Sequence, residues 1–126
     1  MEIPEGLRYT KEHEWVRVEG GEAVMGITDY AQGELGDIVF VDLPAAGRAL
    51  RQMEPFGTIE AVKAVSDLFS PVTGEVVSVN ESLREDPSAV NKTPYTDGWM
   101  VRAKLANASE LESLMTAAQY RALLGV

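Results

Sequence analysis

The chain has 126 residues, no cysteine, one histidine and a formal net charge of −9 at pH 7. This length suits a single domain over residues 1–126, and the negative charge disfavours nucleic acid and anionic membranes as partners. Without cysteine there is no disulfide, thiolate metal site or thiol nucleophile, and one histidine disfavours a zinc site or a catalytic triad. We therefore expect a monomeric, non-enzymatic protein without a metal, whose partners are proteins.

The sequence contains no segment of the kind that crosses or targets a membrane. The longest apolar runs, such as Ile38–Val41, have four residues, whereas a spanning helix needs about 20. Met1–Gly6 has neither the features of a secretory signal nor those of a transit peptide. We expect a location in the bacterial cytoplasm, or in the mitochondrial matrix if a presequence was removed.

The first pair of strands is indicated by alternation on both sides of a glycine turn. Glu14–Glu19 alternates as a strand, Gly20-Gly21 is a two-residue hairpin signal, and Glu22–Ile27 is the returning strand.

A helix and two strands are predicted next. The helix begins at Asp29 and runs to Leu35, with Gln32 as capping-box partner and Gly36 beyond its end. Strands are then expected over Asp37–Asp42 and near Arg48–Leu50.

Lys63 lies at the tip of a predicted hairpin that extends over residues 57–70. Its legs contain extended-chain formers, and Ala61–Ala64 carries no glycine, asparagine or proline, which favours a type I turn. A single lysine at a hairpin tip is commonly a solvated charge. The rigid apolar legs and the flanking Glu60 and Asp67 instead favour the interpretation of Lys63 as the functional site.

Beyond the hairpin, Ser70–Gly74 interrupts the pairing and Glu75–Asn80 resumes it. Glu81–Thr96 is predicted to be a loop with one helical turn, capped at Asp86-Pro87. Trp99–Leu105 alternates clearly as a strand.

An amphipathic helix is predicted to close the chain. It begins with a capping box at Ser109–Glu112 and ends before Gly125. The apolar stripe expected to pack on the sheet consists of Leu111, Leu114, Met115 and Ala118.

Two similar segments lie on either side of Lys63. Gly36–Val41 and Gly74–Val79 share a pattern of glycine, acid, two apolar residues, any residue and valine. This short repeat indicates either a pseudo-symmetric β-sandwich that presents the lysine at one end, or a chance similarity in a valine-rich chain.

Several motifs, in this order and over essentially the whole chain, resemble the H proteins of the glycine cleavage system. The motifs are Tyr9-Thr10-x-x-His13-Glu14-Trp15-Val16, Gly26-Ile27-Thr28-Asp29-Tyr30-Ala31-Gln32, Gly36-Asp37-Ile38-Val39-Phe40-Val41-Asp42-Leu43-Pro44, Glu60-x-Val62-Lys63-Ala64, Ser70-Pro71-x-x-Gly74-Glu75-Val76 and Pro94-Tyr95-x-x-Gly98-Trp99.

The resemblance implies a mainly β fold, a hammerhead or barrel-sandwich hybrid with pseudo-symmetric halves, short helices and a C-terminal helix. It also implies lipoic acid in amide linkage to Lys63. The implied function is a lipoyl carrier that shuttles the aminomethyl group of glycine. Its implied partners are glycine decarboxylase (P protein), aminomethyltransferase (T protein), dihydrolipoyl dehydrogenase (L protein) and lipoyl-attaching enzymes.

Four further residues match family positions with implied roles. Glu14 and Asp67 match positions linked to a cleft that receives the loaded arm, where opposite charge would stabilise the amine. Glu60 and Gly74 match positions implicated in recognition by lipoyl-attaching enzymes, although Gly74 also suits a close backbone approach. His13 and Trp15 are interpreted as packing residues.

The residues beside Lys63 differ from those of two other classes of carrier domain. Biotin carriers place their lysine between methionines, and lipoyl domains of 2-oxo acid dehydrogenases usually have aspartate before it, whereas Val62 and Ala64 flank Lys63. A lipoyl carrier for another complex, or an unmodified acidic interaction domain without the arm, is the remaining alternative.

Overall fold

A computed structural model describes residues 1–126 and shows a mainly β protein. Nine strands are accompanied by four short α-helices and one 3₁₀ helix. The strands are β1 Arg8–Tyr9, β2 Glu14–Glu19, β3 Glu22–Ile27, β4 Ile38–Asp42, β5 Ala49–Leu50, β6 Pro55–Ala61, β7 Val65–Phe69, β8 Gly74–Val79 and β9 Val101–Leu105. The helices are α1 Asp29–Leu35, α2 Ser82–Glu85, α3 Ala89–Lys92, the 3₁₀ helix Ala108–Ser113 and α4 Ala117–Leu124.

The strands form two separate antiparallel sheets and no closed barrel. The larger sheet has the order β1-β2-β3-β9-β8-β5, and the smaller has the order β4-β6-β7. The predicted class, mainly β with short helices and a C-terminal helix, is confirmed. None of the helices is both long and apolar enough to pass through a bilayer.

The larger sheet buries side chains on both of its faces, because successive residues of a strand point in opposite directions. One cluster joins it to the smaller sheet and includes Val16, Met25, Ile59 and Leu68. A second cluster joins its other face to the N-terminal segment and α4, and includes Tyr9, Trp15, Val24 and Tyr120. The six-stranded sheet is therefore the middle layer of the protein.

The predicted β2–β3 hairpin is confirmed at both ends. Glu14 pairs with Ile27 and Glu19 pairs with Glu22, so that Gly20-Gly21 forms the turn. The two-residue strand β1, which pairs with β2, was not predicted because it is too short to show alternation.

The other predicted strands are also present, with ends displaced by one or two residues. Pairing begins at Ile38 rather than Asp37, at Ala49 rather than Arg48, and at Val101 rather than Trp99. Strand β8 runs over Gly74–Val79 rather than Glu75–Asn80.

Helix α1 has the predicted bounds, but its predicted cap was wrong. The Thr28 side chain accepts a hydrogen bond from the Ala31 amide, so Thr28 is the N-cap and Asp29 is the first helical residue. The Gln32 side chain donates to the Asp29 carboxylate (2.7 Å) rather than accepting a hydrogen bond from a cap backbone N–H.

The segment after β8 contains two helical turns, not the predicted one. Asp86 ends the first turn, α2, instead of capping the second. The second turn, α3, begins after Ser88, whose hydroxyl donates to the Asp86 carboxylate.

The C-terminal helix begins later than predicted. Ala108–Ser113 is a 3₁₀ helix, and the chain is then extended because Met115 and Tyr9 exchange backbone hydrogen bonds of 2.9 Å. The true capping box is Thr116 with Gln119, and Gly125 ends the helix as expected. The buried face of α4 therefore contains Ala117 and Tyr120 rather than the predicted Ala118.

The two copies of the short repeat form strands of different sheets. The first copy contributes β4 to the three-stranded sheet, and the second contributes β8 to the six-stranded sheet. The hairpin that carries Lys63 follows β4 and precedes β8 in the chain.

Replacement of Gly57 by alanine is expected to destabilise the smaller sheet. A Cβ atom there would lie 2.2 Å from the Asp42 carbonyl oxygen of the neighbouring strand, so β4 and β6 must separate. We expect a loss of at least about 2 kcal/mol in the free energy of unfolding, measured by urea denaturation.

Gly33→Ala is the matched control, because a Cβ atom at this α1 position meets nothing within 4 Å. This variant should be more stable than the wild type by roughly 0.5–1 kcal/mol. Equal stability of the two variants would contradict the steric explanation.

Candidate functional site

Lys63 lies between β6 and β7, at the far end of the smaller sheet. The two strands are antiparallel, and the Ala61 amide donates to the Ala64 carbonyl (2.7 Å) as the last ladder bond before the tip. Both Lys63 and its neighbour Val62 are exposed, with Val62 76% accessible. The lysine is therefore held on a paired hairpin and reaches into solvent.

The turn at the tip differs from the predicted type I turn in its hydrogen bonding. Val62 and Lys63 are bends, and no bond from the Ala64 amide to the Ala61 carbonyl closes them. The reversal is instead stabilised from outside, because the Val62 amide donates to the carbonyl of Asp37 (3.0 Å). This external bond explains how a sequence without turn residues reverses here.

The Lys63 side chain has no carboxylate partner in the protein. Its aliphatic part lies over Gly36, where Cε is 3.3 Å from the position that a Gly36 Cβ would take. The amine is consequently free of ion pairs and accessible.

Glu60 and Asp67 lie on one face of the smaller sheet, on strands that pair with each other. Phe40, Glu60 and Val65 are in register across the three strands. Asp67 is two residues from Val65, so its exposed side chain points to the same face. The structure therefore places both acidic residues beside the tip.

Glu14 differs from these residues because it is buried, with 3% of its surface accessible. The Thr10 hydroxyl donates to Oε1 (2.5 Å), and the Phe69 amide donates to Oε2 (3.3 Å). Burial raises the pKa of Glu14 to about 8, although the hydrogen bonds from Thr10 and Phe69 act in the opposite direction. The raised pKa favours the protonated form of this carboxyl group at neutral pH.

Strand β7 connects the acidic residues to Lys63. It is an edge strand, and the Phe69 amide points away from β6 towards Glu14. By strand geometry, Asp67 and Phe69 lie about 7 Å and about 13 Å from Val65, the first residue of β7 after the tip. Asp67 and Glu14 thus lie along the same edge strand, with Asp67 nearer the tip and Glu14 beside Phe69.

A family model described as Glycine cleavage H-protein matches residues 7–125. The chain belongs to the glycine cleavage H-protein family. It is 56% identical over 120 residues to a glycine cleavage system H protein of Bacillus cereus, covering 95% of this chain and 94% of the relative. It is 55% identical over 124 residues to one of Bacteroides fragilis, covering 98% of each chain.

The fold agrees with a solved structure of the same family. The crystal structure of a glycine cleavage system H protein from Mycobacterium marinum superposes with a TM-score of 0.91 and 35% identity, covering 98% of this chain and 100% of that chain.

Gly74, like Glu14, lies outside the lysine hairpin. It begins β8 in the larger sheet, and a Cβ atom there would lie 2.1 Å from the Lys104 carbonyl oxygen. This close approach of two backbones is sufficient to explain glycine at this position in a member of this family.

His13 and Trp15 occupy packed positions, as interpreted from the sequence. Trp15 is completely buried and donates its indole N–H to the Pro94 carbonyl (3.1 Å). His13 is partly buried, contacts Tyr30, and lies 2.8 Å from the Tyr120 hydroxyl through Nδ1. Burial lowers the pKa of His13.

Sequence reasoning missed two polar residues that support the site. Thr10 belongs to the Tyr9-Thr10-x-x-His13 motif, but no local signal indicates that its hydroxyl bonds Glu14 four residues on. Asn91 lies in the segment interpreted as loop, although its amide bonds Gly36 and Ile38 beneath the tip.

Glu14 should make folding stability depend on pH in a defined direction. The folded-state pKa of Glu14 lies above its ordinary value of 4.5. The contribution of Glu14 to the free energy of unfolding is therefore fully present below pH 4.5 and is lost as the pH rises through about 8. Between about pH 5 and about pH 8, wild-type unfolding free energy should fall relative to Glu14→Gln, by at most about 1.4 kcal/mol per pH unit.

Urea denaturation of both proteins across this range measures the effect. Glu85→Gln, which also removes one carboxylate but at an exposed position, should retain the wild-type pH dependence. Identical pH profiles for wild type and Glu14→Gln would rule out a protonated, buried Glu14.

Proposed function

We propose that Lys63 is the lipoyl attachment site of this chain. The observation that carries the proposal is the location of an accessible lysine, free of ion pairs, at the tip of a paired hairpin in a glycine cleavage H-protein. Val62 and Lys63 of the family motif form this tip, and Glu60 lies beside it in β6.

The chain is a lipoyl carrier of the glycine cleavage system and not a catalyst. It passes the aminomethyl group of glycine among glycine decarboxylase (P protein), aminomethyltransferase (T protein) and dihydrolipoyl dehydrogenase (L protein). We further propose that residues 1–126 act as one domain and that lipoyl-attaching enzymes modify it. Since the relatives described above are bacterial, we also propose that it works in the bacterial cytoplasm.

The surroundings of Lys63 suit acylation of its amine. Amide formation removes the ammonium charge, and since Lys63 has no ion pair, no internal interaction is lost. The other three lysines, Lys11, Lys92 and Lys104, are also exposed but lie in a turn, at the end of α3 and within β9. Lys11 also lies in a hairpin turn, between β1 and β2, but only Lys63 belongs to the motif Glu60-x-Val62-Lys63-Ala64.

When bound, the lipoyl group supplies a flexible arm with a reducible disulfide, a group carrier that no side chain replaces. The chain itself contains no cysteine. No protein thiol of the carrier therefore competes for exchange with that disulfide.

We propose that Asp67 and Glu14 stabilise the loaded amine at the edge of β7. Asp67 is exposed and offers opposite charge at the surface, whereas Glu14 is buried and largely protonated. A cation placed beside Glu14 would lower its pKa, so this carboxyl group would release its proton as the amine arrives. Thr10 is able to hydrogen-bond Glu14 in either protonation state.

We also propose that Glu60 takes part in recognition by the lipoyl-attaching enzyme. Its exposed carboxylate lies between the side chains of Phe40 and Val65, which are 51% and 67% accessible. For Gly74 we propose only an indirect part in this recognition. The absence of a side chain lets its backbone approach Lys104 closely, which fixes the position of β8.

Lys63→Arg should abolish lipoylation, because the guanidinium group keeps the positive charge but is not acylated in this chemistry. Intact mass and peptide mapping of protein from a lipoate-replete host should show a lipoyl increment on Lys63 in the wild type and none in the variant. Lys104→Arg is the control and should be modified like the wild type. An increment retained in Lys63→Arg, or refusal of the wild type by a lipoate ligase, would disprove the proposed attachment site.

Asp67→Asn should accelerate spontaneous release of the aminomethyl group from the loaded carrier. Since exposed ion pairs contribute about 0.2–1 kcal/mol, we expect a change of roughly two- to fivefold in rate. Asp97→Asn, the same substitution at another exposed aspartate, should release at the wild-type rate. Release from Asp67→Asn that is no faster than this control would count against the role of Asp67.

A further inference from the structure

The tip of the lysine hairpin rests on the segment Gly36–Ile38, which connects α1 to β4. The Val62 amide donates to the Asp37 carbonyl (3.0 Å), and the Lys63 stem lies over Gly36. The segment Gly36–Ile38 therefore positions both residues of the tip, Val62 and Lys63. The direction in which Lys63 projects depends on how firmly residues 36–38 are held.

Gly36 cannot hold this segment by regular pairing. Its backbone has φ 82° and ψ −155°, a conformation that belongs to glycine and ends α1. Asp37 belongs to neither α1 nor β4. Polar groups of such a segment need partners from elsewhere in the chain.

Asn91 supplies these partners with a single side chain. Its Oδ1 accepts from the Ile38 amide, and its Nδ2 donates to the Gly36 carbonyl, both at 2.9 Å. The same Nδ2 also donates to the Gln32 side chain of α1 (2.9 Å). The amide thus binds the backbone on both sides of Asp37 and leaves the Asp37 carbonyl directed at Val62.

Asn91 is itself fixed, because α3 is packed against the chain that follows it. Val90 is completely buried. A Cβ atom on Gly98 would lie 2.9 Å from the carbonyl oxygens of Ala89 and Thr93, so the Gly98 backbone is in close contact with α3. Helix α3, from which Asn91 reaches residues 36–38, is therefore closely packed.

We propose that Asn91 is a positioning residue for Lys63. It makes no contact with the lysine and acts through the segment Gly36–Ile38, whose Asp37 carbonyl holds Val62. The proposal rests on the proposed function in so far as accurate presentation of Lys63 matters for its acylation. Its structural part, the order of the tip, does not depend on that function.

Asn91→Ala and Asn91→Asp test this inference, with Asn80→Ala as the matched control. Asn80 is a buried asparagine whose Nδ2 donates to the carbonyls of Asp97 and Trp99 and whose Oδ1 accepts from Ser82. Its side chain makes four hydrogen bonds, one more than that of Asn91, but none to residues 36–38. Asn91→Asp keeps the volume and an acceptor for Ile38 but removes the donor to Gly36.

The first measurement is hydrogen exchange of the Val62 amide under native conditions, which reports local opening of the tip. Loss of the Asn91 bonds should accelerate this exchange by about tenfold in both Asn91 variants, since buried hydrogen bonds contribute about 1 kcal/mol each. Asn80→Ala should leave exchange at Val62 unchanged even if its global stability falls. Unchanged exchange at Val62 in both Asn91 variants would overturn the proposal.

The second measurement is the kinetics of acylation by a lipoate ligase, with apo protein as the varied substrate. Both Asn91 variants should show kcat/KM reduced several-fold relative to Asn80→Ala when all are compared at equal folded fraction. If exchange at Val62 rises but kcat/KM is unaltered, the positioning role is refuted. If the wild type is not acylated at all, the proposed function fails, and the exchange result alone decides whether Asn91 orders the tip.

Discussion

The hydrogen bond from the Val62 amide to the Asp37 carbonyl carries the pairing of β4 and β6 one step beyond its last regular pair, Ile38 with Ala61. Through this bond the tip is a continuation of the smaller sheet. A free lysine side chain loses up to about 2 kcal/mol of conformational freedom when it is ordered by a partner. Because the hydrogen bond between Val62 and Asp37 already orders the backbone of the tip, this entropic cost is confined to the lysine side chain.

Glu14 links the two sheets at the other end of the hairpin. It belongs to β2 of the larger sheet, yet it accepts from the Phe69 amide on the free edge of the smaller one. A buried ionised carboxylate is strongly disfavoured unless a cation compensates for it, and burial accordingly raises the pKa of Glu14 to about 8. A cation placed at this edge of β7 would favour the ionised form of the carboxyl group.

Local patterns predicted the strands and turns that depend only on neighbouring residues, such as β2, β3 and the turn at Gly20-Gly21. They failed where a distant contact decides between equal local signals. Ser109–Glu112 and Thr116–Gln119 both fit a capping box, and the backbone bridge between Tyr9 and Met115 selects the second. The hairpin with Lys63 at its tip was also predicted from the local pattern, and family resemblance implied its role. The supports of this tip were not predicted, because Glu14 meets Phe69 and Asn91 meets Gly36 across 55 residues of chain.

The unpaired edge of β7 affects the tendency of copies of this protein to associate. Exposed Val62 and Val65 adjoin this edge, and such edges promote pairing between copies of a protein. Acylation would remove one positive charge and change the formal net charge from −9 to −10, since −9 − 1 = −10. Such a modification would make the tip more apolar and would also increase the electrostatic repulsion between whole molecules.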